Sequence, residues 1–274
     1  MMTLKALAAA ALAEDIGPGD ITSQSCLPAD QPGRARIFAK QSLVVSGLDI
    51  AAEVFAARGC ALTRVADDGD SLEYGDDLAH IEGPVQDLLI AERVALNFLM
   101  RLSGIATNTA GVVAAAQGKI RVVDTRKTTP LHRLVEKAAV RHGGGYNHRF
   151  ALYDGVMIKD NHIVAAGGIR PAVAAVRANA HHLVRIEVEV EDMVQLAEAL
   201  DCGADVLLLD NMDDAAIDAA VAAVAGRAIT EASGNMTAER IRALADLAHP
   251  PDIVSVGGLI HQARWVDLSM RMIV

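Results

Sequence analysis

The sequence predicts an α/β protein in two parts, a small N-terminal α/β domain and a C-terminal TIM-like barrel of parallel strands. Three observations carry that expectation. From Lys119 onward an apolar, β-branched run, a polar cluster and an alanine-rich helical stretch recur in that order, and strands alternating with helices make parallel βα units. The polar residues closing successive later runs, Glu189, Asp210, Ser233 and Gly257, lie 21, 23 and 24 residues apart, about one βα unit each. Before Lys119 the pattern is less regular and richer in turns. The barrel is favoured because it brings the C-terminal strand ends to one mouth; a doubly wound open sheet is the alternative that periodicity leaves standing.

Residues 1–105 are read as the first domain: a short helical start, the turn Gly17-Pro18-Gly19-Asp20, and strand-like runs at 35–46 and 71–82. Asp67-Asp68-Gly69-Asp70, Gly75-Asp76 and Glu82-Gly83-Pro84 resemble the hairpins of biotinyl or lipoyl carriers. No lysine stands between Lys40 and Lys119 to carry a cofactor, so a structural role is expected. Residues 91–117 form a long apolar helical stretch, interrupted at Ser103-Gly104, that joins the domains. The barrel domain takes 106–274, its last residues packing back on the first domain. Its strands are expected at 120–123, 156–158, 183–190, 206–209, 228–230 and 253–256.

A chain with 52% hydrophobic and 22% charged residues buries a sizeable core and is not disordered. No apolar stretch approaches the roughly 20 residues of a membrane span, and the N-terminus reaches Glu14-Asp15 without a cleavage pattern. No membrane partner and a cytoplasmic location are expected. Cys26, Cys60 and Cys202 are isolated and odd in number, which reads as reduced thiols without metal. A net charge of −10 argues against nucleic acid, whose phosphates need a cationic surface. Between Arg93 and Lys159, however, eleven basic residues face three acidic ones. Arg133, Lys137 and Arg141 recur at helical spacing and could simply line a helix face. The rest suggests a focused site for a small, highly charged anion.

The polar strand ends supply the chemistry. The first run ends in Asp124-Thr125-Arg126-Lys127-Thr128-Thr129-Pro130, the next in Lys159-Asp160-Asn161-His162, and later ones in Glu187-Val188-Glu189, Leu209-Asp210-Asn211, Glu231-Ala232-Ser233-Gly234 and Val256-Gly257-Gly258. Arginine offers a planar fork for carboxylates and lysine a compact charge for phosphate. Glu187 and Glu189 share a face of one strand, and with Asp210 could bind ribose hydroxyls or Mg²⁺. The plainer alternative is that one of the pair, Glu187 more readily than Glu189, neutralises Lys159 or Arg149. Ser233-Gly234 and Gly257-Gly258 are small enough for backbone N–H groups to approach a phosphate. Gly143-Gly144-Gly145 reads as close backbone approach to a ligand. His148, His162 and His261 flank these clusters, and no histidine shows metal-ligand spacing.

Together with Glu14 to Thr22, Glu92-Arg93, Leu96-Asn97, Leu102 to Thr107 and Gly143 to Arg149, these motifs resemble the quinolinate phosphoribosyltransferase family over nearly the whole chain. The resemblance implies an N-terminal α/β sandwich, a C-terminal open α/β barrel, and a homodimer or higher homo-oligomer. It assigns Arg126, His148, Arg149 and Lys159 to quinolinate, with Arg93 reaching in from the other subunit. Lys127, Glu189 and Asp210 would meet phosphoribosyl pyrophosphate with Mg²⁺, the metal held mostly through substrate and water. Ser233, Gly234, Asn235, Gly257, Gly258 and His261 would hold its phosphate end. The implied reaction yields nicotinate mononucleotide, CO₂ and pyrophosphate for NAD biosynthesis, with Lys127, Lys159, Glu189 and Asp210 catalytic. Two positions depart from the family pattern. Asn235 replaces a second glycine, which asparagine's tolerance of left-handed backbone accommodates, and Leu131-His132 replaces a Gly-Leu, a change expected to matter little.

Three other readings compete. A paralogous family associated with molybdate transport lacks the Lys-Asp-Asn-His run present at Lys159 to His162. A barrel aldolase would use Lys159 as a Schiff-base nucleophile, and a phosphosugar-binding regulatory module would bind without turnover.

Overall fold

The computed structural model describes residues 2–273. In chain order its elements are α1 (Leu4–Ile16), α2 (Ile21–Cys26), β1 (Pro32–Ala39), β2 (Leu43–Val44), α3 (Leu48–Ala56), β3 (Ala61–Arg64), β4 (Ser71–Leu72), β5 (Asp77–Pro84) and α4 (Val85–Ala115). There follow β6 (Arg121–Val123), α5 (Arg133–His142), β7 (Val156–Ile158), α6 (Asp160–Ala166), α7 (Ile169–Asn179), β8 (Ile186–Val190), α8 (Met193–Asp201), β9 (Val206–Asp210) and α9 (Asp214–Val224). β10 (Ile229–Ser233), α10 (Ala238–Ala245), β11 (Ile253–Ser255), α11 (Gly258–His261) and β12 (Leu268–Ile273) complete the chain. The chain divides into two compact units, one of residues up to Ala110 with Thr129–Gly144 and the stretch from Gln262, the other of Gly111–Thr128 and Gly145–His261.

The first unit is built on an antiparallel sheet of order β12-β1-β5-β3. The strand expected over 35–46 is two strands, because polar Lys40-Gln41-Ser42 break it, and the run at 71–82 is divided by a turn at Gly75 (φ +96°). α3 turns Leu48, Ala51, Val54 and Phe55 into the core. On α4, Leu88, Ala91, Ala95, Leu99, Leu102 and Ala106 are all buried, the spacing of a continuous apolar stripe. The interruption expected at Ser103-Gly104 does not occur. The Ser103 hydroxyl donates to Ser46 O at 3.1 Å and accepts the Ser46 N–H at 2.9 Å, while Gly104 allows close approach, since a Cβ there would lie 2.1 Å from Arg264 O.

Within the glycine run at 143–145, Gly143 serves packing. Gly143 and Gly145 are buried, and a Cβ on Gly143 would lie 2.3 Å from Ala106 O. Leu131, in contrast, is 70% exposed with φ +68°, a left-handed conformation that strains a side chain branched beyond Cβ. The departure from glycine here therefore has a structural cost. Leu131→Gly should raise stability by about 0.5–1 kcal/mol, relief of strain outweighing the extra freedom of the unfolded chain; chemical denaturation midpoints will measure it, and a fall in stability would contradict it.

The second unit carries six parallel strands in the order β6-β11-β10-β9-β8-β7. From β7 to β11 each strand neighbours the next, and β6 joins the last, so the winding never reverses as it does in a doubly wound sheet. The barrel is open between β6 and β7, where Tyr146 bridges Val123 in parallel. All five residues of β8 are buried, which is what enclosure on both faces demands. Asp192, Asp213 and Thr237 start α8, α9 and α10 with side-chain oxygens that accept first-turn N–H groups. Among the described residues no helix is long and apolar enough to cross a membrane.

Candidate active site

The barrel's C-terminal strand ends gather the charged residues of the second unit. Asp124, directly after β6, is fully buried and accepts Asn147 Nδ2 at 2.7 Å and the His148 N–H at 2.9 Å. It thereby pins the 146–149 segment beside β6. The chain then turns, with Lys127 N–H donating to Thr125 Oγ1 at 3.0 Å and Thr128 N–H to Arg126 O at 2.9 Å. Arg126 and Lys127 are left exposed. Arg149 is anchored by Nη1 to Gly155 O at 2.9 Å. Burial, and then the charge of Arg126, hold its pKa below the ordinary guanidinium value. Two guanidinium groups near enough to repel are an arrangement that an anion would relieve.

Lys159 follows β7, and its Nζ donates to Glu189 Oε2 at 2.6 Å. The lysine's partner is thus Glu189, not Glu187 as the plainer reading of the pair anticipates, because Glu187 is turned to His148. His148 Nε2 lies 3.3 Å from Glu187 Oε2 and 3.7 Å from Glu231 Oε2. Glu187 and Glu231 are both buried, and the Oε1 atom of each has no hydrogen-bond partner. Burial first, then the neighbouring Glu187 charge, raise the Glu231 pKa from 4.5 to about 7, against the opposing influence of His148, Ser255 and Lys159. These three residues offer one donor atom each within 4.8 Å of one another, a possible metal donor set that sequence spacing did not reveal because it joins three separate segments.

Glu231 makes stability depend on pH. Its folded pKa is raised, so the folded state binds more protons than the unfolded one between about pH 4.5 and about 7. The stabilisation is therefore complete below the unfolded value and is lost as pH rises through the folded one. Glu231→Gln should flatten the pH profile of stability in that window by on the order of 2 kcal/mol. Identical profiles for the two proteins would refute this.

At the other side of the mouth, Asp210 ends β9 and accepts Asn211 Nδ2 at 2.6 Å. Ser233 ends β10, and its carbonyl accepts the Asn211 N–H at 3.1 Å. Gly234 has φ +99°, and a Cβ there would lie 2.2 Å from Asn211 Oδ1. Asn235 has φ +49°, so asparagine does occupy a left-handed position. Arg240 on α10 ties these loops together, donating to Gly234 O at 2.6 Å and Met212 O at 2.5 Å. A Cβ on Gly257 would come within 2.9 Å of Lys127 Cδ and 3.2 Å of His261 Nε2. The glycine lets the Lys127 and His261 side chains converge beside it, with Gly258 starting α11. Arg93 is exposed on α4 in the first unit. Asp124, Asn211 and Glu231, which the sequence placed in strand-end clusters without a role, and Arg240, which it did not single out, are further functional candidates. For Asp124 and Glu231 the available signal was an acid within or directly after an apolar strand.

Cations, buried acids and small residues at the open ends of parallel strands define an α/β-barrel protein that binds small, multiply charged anions. The chain belongs to the quinolinate phosphoribosyltransferase family: it matches Quinolinate phosphoribosyl transferase, C-terminal domain, over residues 105–271 and the family's N-terminal domain over 20–103. It is 44% identical over 260 residues to the probable nicotinate-nucleotide pyrophosphorylase (carboxylating) of Bacillus subtilis, covering 94% of this chain and 89% of that one. The structure of NadC from Streptococcus pyogenes is 43% identical, with a TM-score of 0.92, covering 97% of this chain and 94% of that one. Nicotinate-nucleotide pyrophosphorylase from Ehrlichia chaffeensis is 34% identical, with a TM-score of 0.93, covering 98% of both chains.

Proposed function

We propose that the protein transfers the phosphoribosyl group of phosphoribosyl pyrophosphate to the ring nitrogen of quinolinate and releases the adjacent carboxylate as CO₂, forming nicotinate mononucleotide and pyrophosphate. The observation that carries this reading is the pair of mutually repelling guanidinium groups, Arg126 and Arg149, in a barrel mouth that also holds Lys127 and Lys159. A dianionic pyridine beside a polyanionic sugar phosphate needs such a density of positive charge. Arg126 and Arg149 bind the quinolinate carboxylates, together with Lys159, which is held by Glu189. Lys127, His261 and the backbone at Ser233, Gly234, Asn235, Gly257 and Gly258 receive the phosphates, aided by the start of α10.

As pyrophosphate leaves, the ribosyl carbon gains oxocarbenium character, which the carboxylates of Glu189 and Asp210 stabilise electrostatically. Loss of CO₂ leaves the bonding electron pair on the ring carbon, where the adjacent positively charged, glycosylated nitrogen stabilises it until that carbon takes up a proton. Glu189 and Asp210 are each already engaged by one neighbour, which suits a Mg²⁺ held mainly through substrate oxygens and water. That ion would neutralise the pyrophosphate charge. In this reading the protein works as a homodimer, with Arg93 supplied across the interface. Lys159 has an anionic partner in place of the apolar pocket or neighbouring cation that would activate a Schiff-base nucleophile, which disfavours the aldolase alternative.

The test is release of CO₂ from carboxyl-labelled quinolinate with equal formation of nicotinate mononucleotide. Turnover should require phosphoribosyl pyrophosphate and Mg²⁺. Folded protein that binds either substrate and releases no CO₂ would refute the reading. Arg126→Ala should weaken quinolinate interaction by about 1.5–3 kcal/mol, read as kcat/KM; unchanged kinetics would remove Arg126 from the site.

A further inference from the structure

The buried carboxylates of Glu187 and Glu231 have no part in the proposed reaction, yet they stand side by side with unsatisfied Oε1 atoms, an arrangement that costs stability. The other oxygen of each, Oε2, faces the His148 ring. Its Nδ1 accepts the Arg149 backbone N–H at 2.7 Å, so that nitrogen carries no proton. The ring proton must therefore be on Nε2, the atom that faces Glu187 Oε2 at 3.3 Å and Glu231 Oε2 at 3.7 Å. The two acids come from β8 and β10, on either side of β9, and approach the ring from separate strands. On its other side His148 is continuous with Arg149, whose guanidinium is anchored at Gly155 O, and its own N–H is held by Asp124.

We propose that Glu187 and Glu231 are positioning residues that, through His148, fix one imidazole tautomer and hold the Asn147–Arg149 segment so that the Arg149 guanidinium is presented to a substrate carboxylate. The role in presenting Arg149 rests on the quinolinate reading above. As the ring stands, Nδ1 serves the Arg149 N–H and Nε2 faces the two buried carboxylates, so the placement of Arg149 is one route by which His148 acts on the substrate. The pair thus determines affinity for the dicarboxylate more than the rate of bond breaking.

The first measurement is the imidazole nitrogen spectrum of His148 in full-length, ligand-free ¹⁵N-labelled protein, assigned by its loss in His148→Gln. An Nε2-protonated ring with Nδ1 as acceptor is expected; an averaged or Nδ1-protonated ring overturns the proposal even if no variant folds. Glu231→Leu should release the ring into averaging and raise the quinolinate KM about tenfold, with much smaller changes in kcat and in the KM for phosphoribosyl pyrophosphate. Glu231→Gln, which keeps an acceptor oxygen, should restore both the locked ring and most of the affinity. A native spectrum and native KM in Glu231→Leu would also overturn the proposal. A locked ring in a protein without quinolinate turnover refutes the functional reading alone, whereas turnover with an averaging ring refutes the positioning role alone.

Discussion

Glu136→Ala should lower the stability of the protein by about 3–5 kcal/mol, the scale for breaking a buried ion pair from one side. Glu136 is fully buried. Its carboxylate accepts Arg101 Nε at 3.3 Å and Nη2 at 3.0 Å, together with the Thr129 N–H at 2.8 Å and hydroxyl at 2.9 Å. Truncation would remove the carboxylate from a largely buried guanidinium, whose Nη1 still donates to Ala263 O at 3.1 Å, and from a backbone donor. For a chain of this length the melting temperature should fall by roughly 10 °C, measured by calorimetry or circular dichroism. Glu136→Gln keeps an acceptor for Thr129 and should lose appreciably less. A loss below 1 kcal/mol in the alanine variant would mean that water replaces the carboxylate, and the prediction would fail.

Replacing Lys159 by methionine should reduce kcat/KM by about 10²–10³, corresponding to removal of one preorganised charged donor from the site. The side-chain length is nearly retained, so the loss isolates the charge. Glu189, buried and deprived of the 2.6 Å contact, should also destabilise the fold, and Lys159→Met with Glu189→Gln should be more stable than Lys159→Met alone. Lysine-to-arginine should recover little activity, because a planar fork does not reproduce a compact ammonium group. Native kinetics in Lys159→Met would remove the residue from the catalytic role assigned to it.

The barrel was legible because its physics is local and repeated. Each βα unit needs an apolar strand, a polar end and an amphipathic helix, so Glu189, Asp210 and Ser233 announced the ends of β8, β9 and β10 by spacing alone. The cationic residues were visible for the same reason, lying within strand-end turns. What stayed hidden depends on partners distant in the chain. Gly104 and Gly143 looked like a helix breaker and a ligand loop, since their packing partners, Arg264 and Ala106, cannot be inferred from neighbouring residues. The grouping of His148 with Glu187 and Glu231 required knowing that three segments converge. Leu131 gave no sign of its left-handed backbone, because a leucine side chain ordinarily disfavours that conformation and only the surrounding fold imposes it.

The antiparallel pairing of β1 with β12 also bears on how the molecule is made. All the barrel strands are encoded between these two partners, and β7 to β11 pair as successive neighbours, so that on a ribosome the barrel's repeats can join in the order in which they emerge. The sheet of the first unit has to wait. Until β12 has been synthesised, β1 presents an unpaired edge, and an unpaired edge is a template for another chain. The earliest sheet residues translated are thus among the last to be completed, which makes the nascent first unit the part of this protein most in need of protection from mispairing.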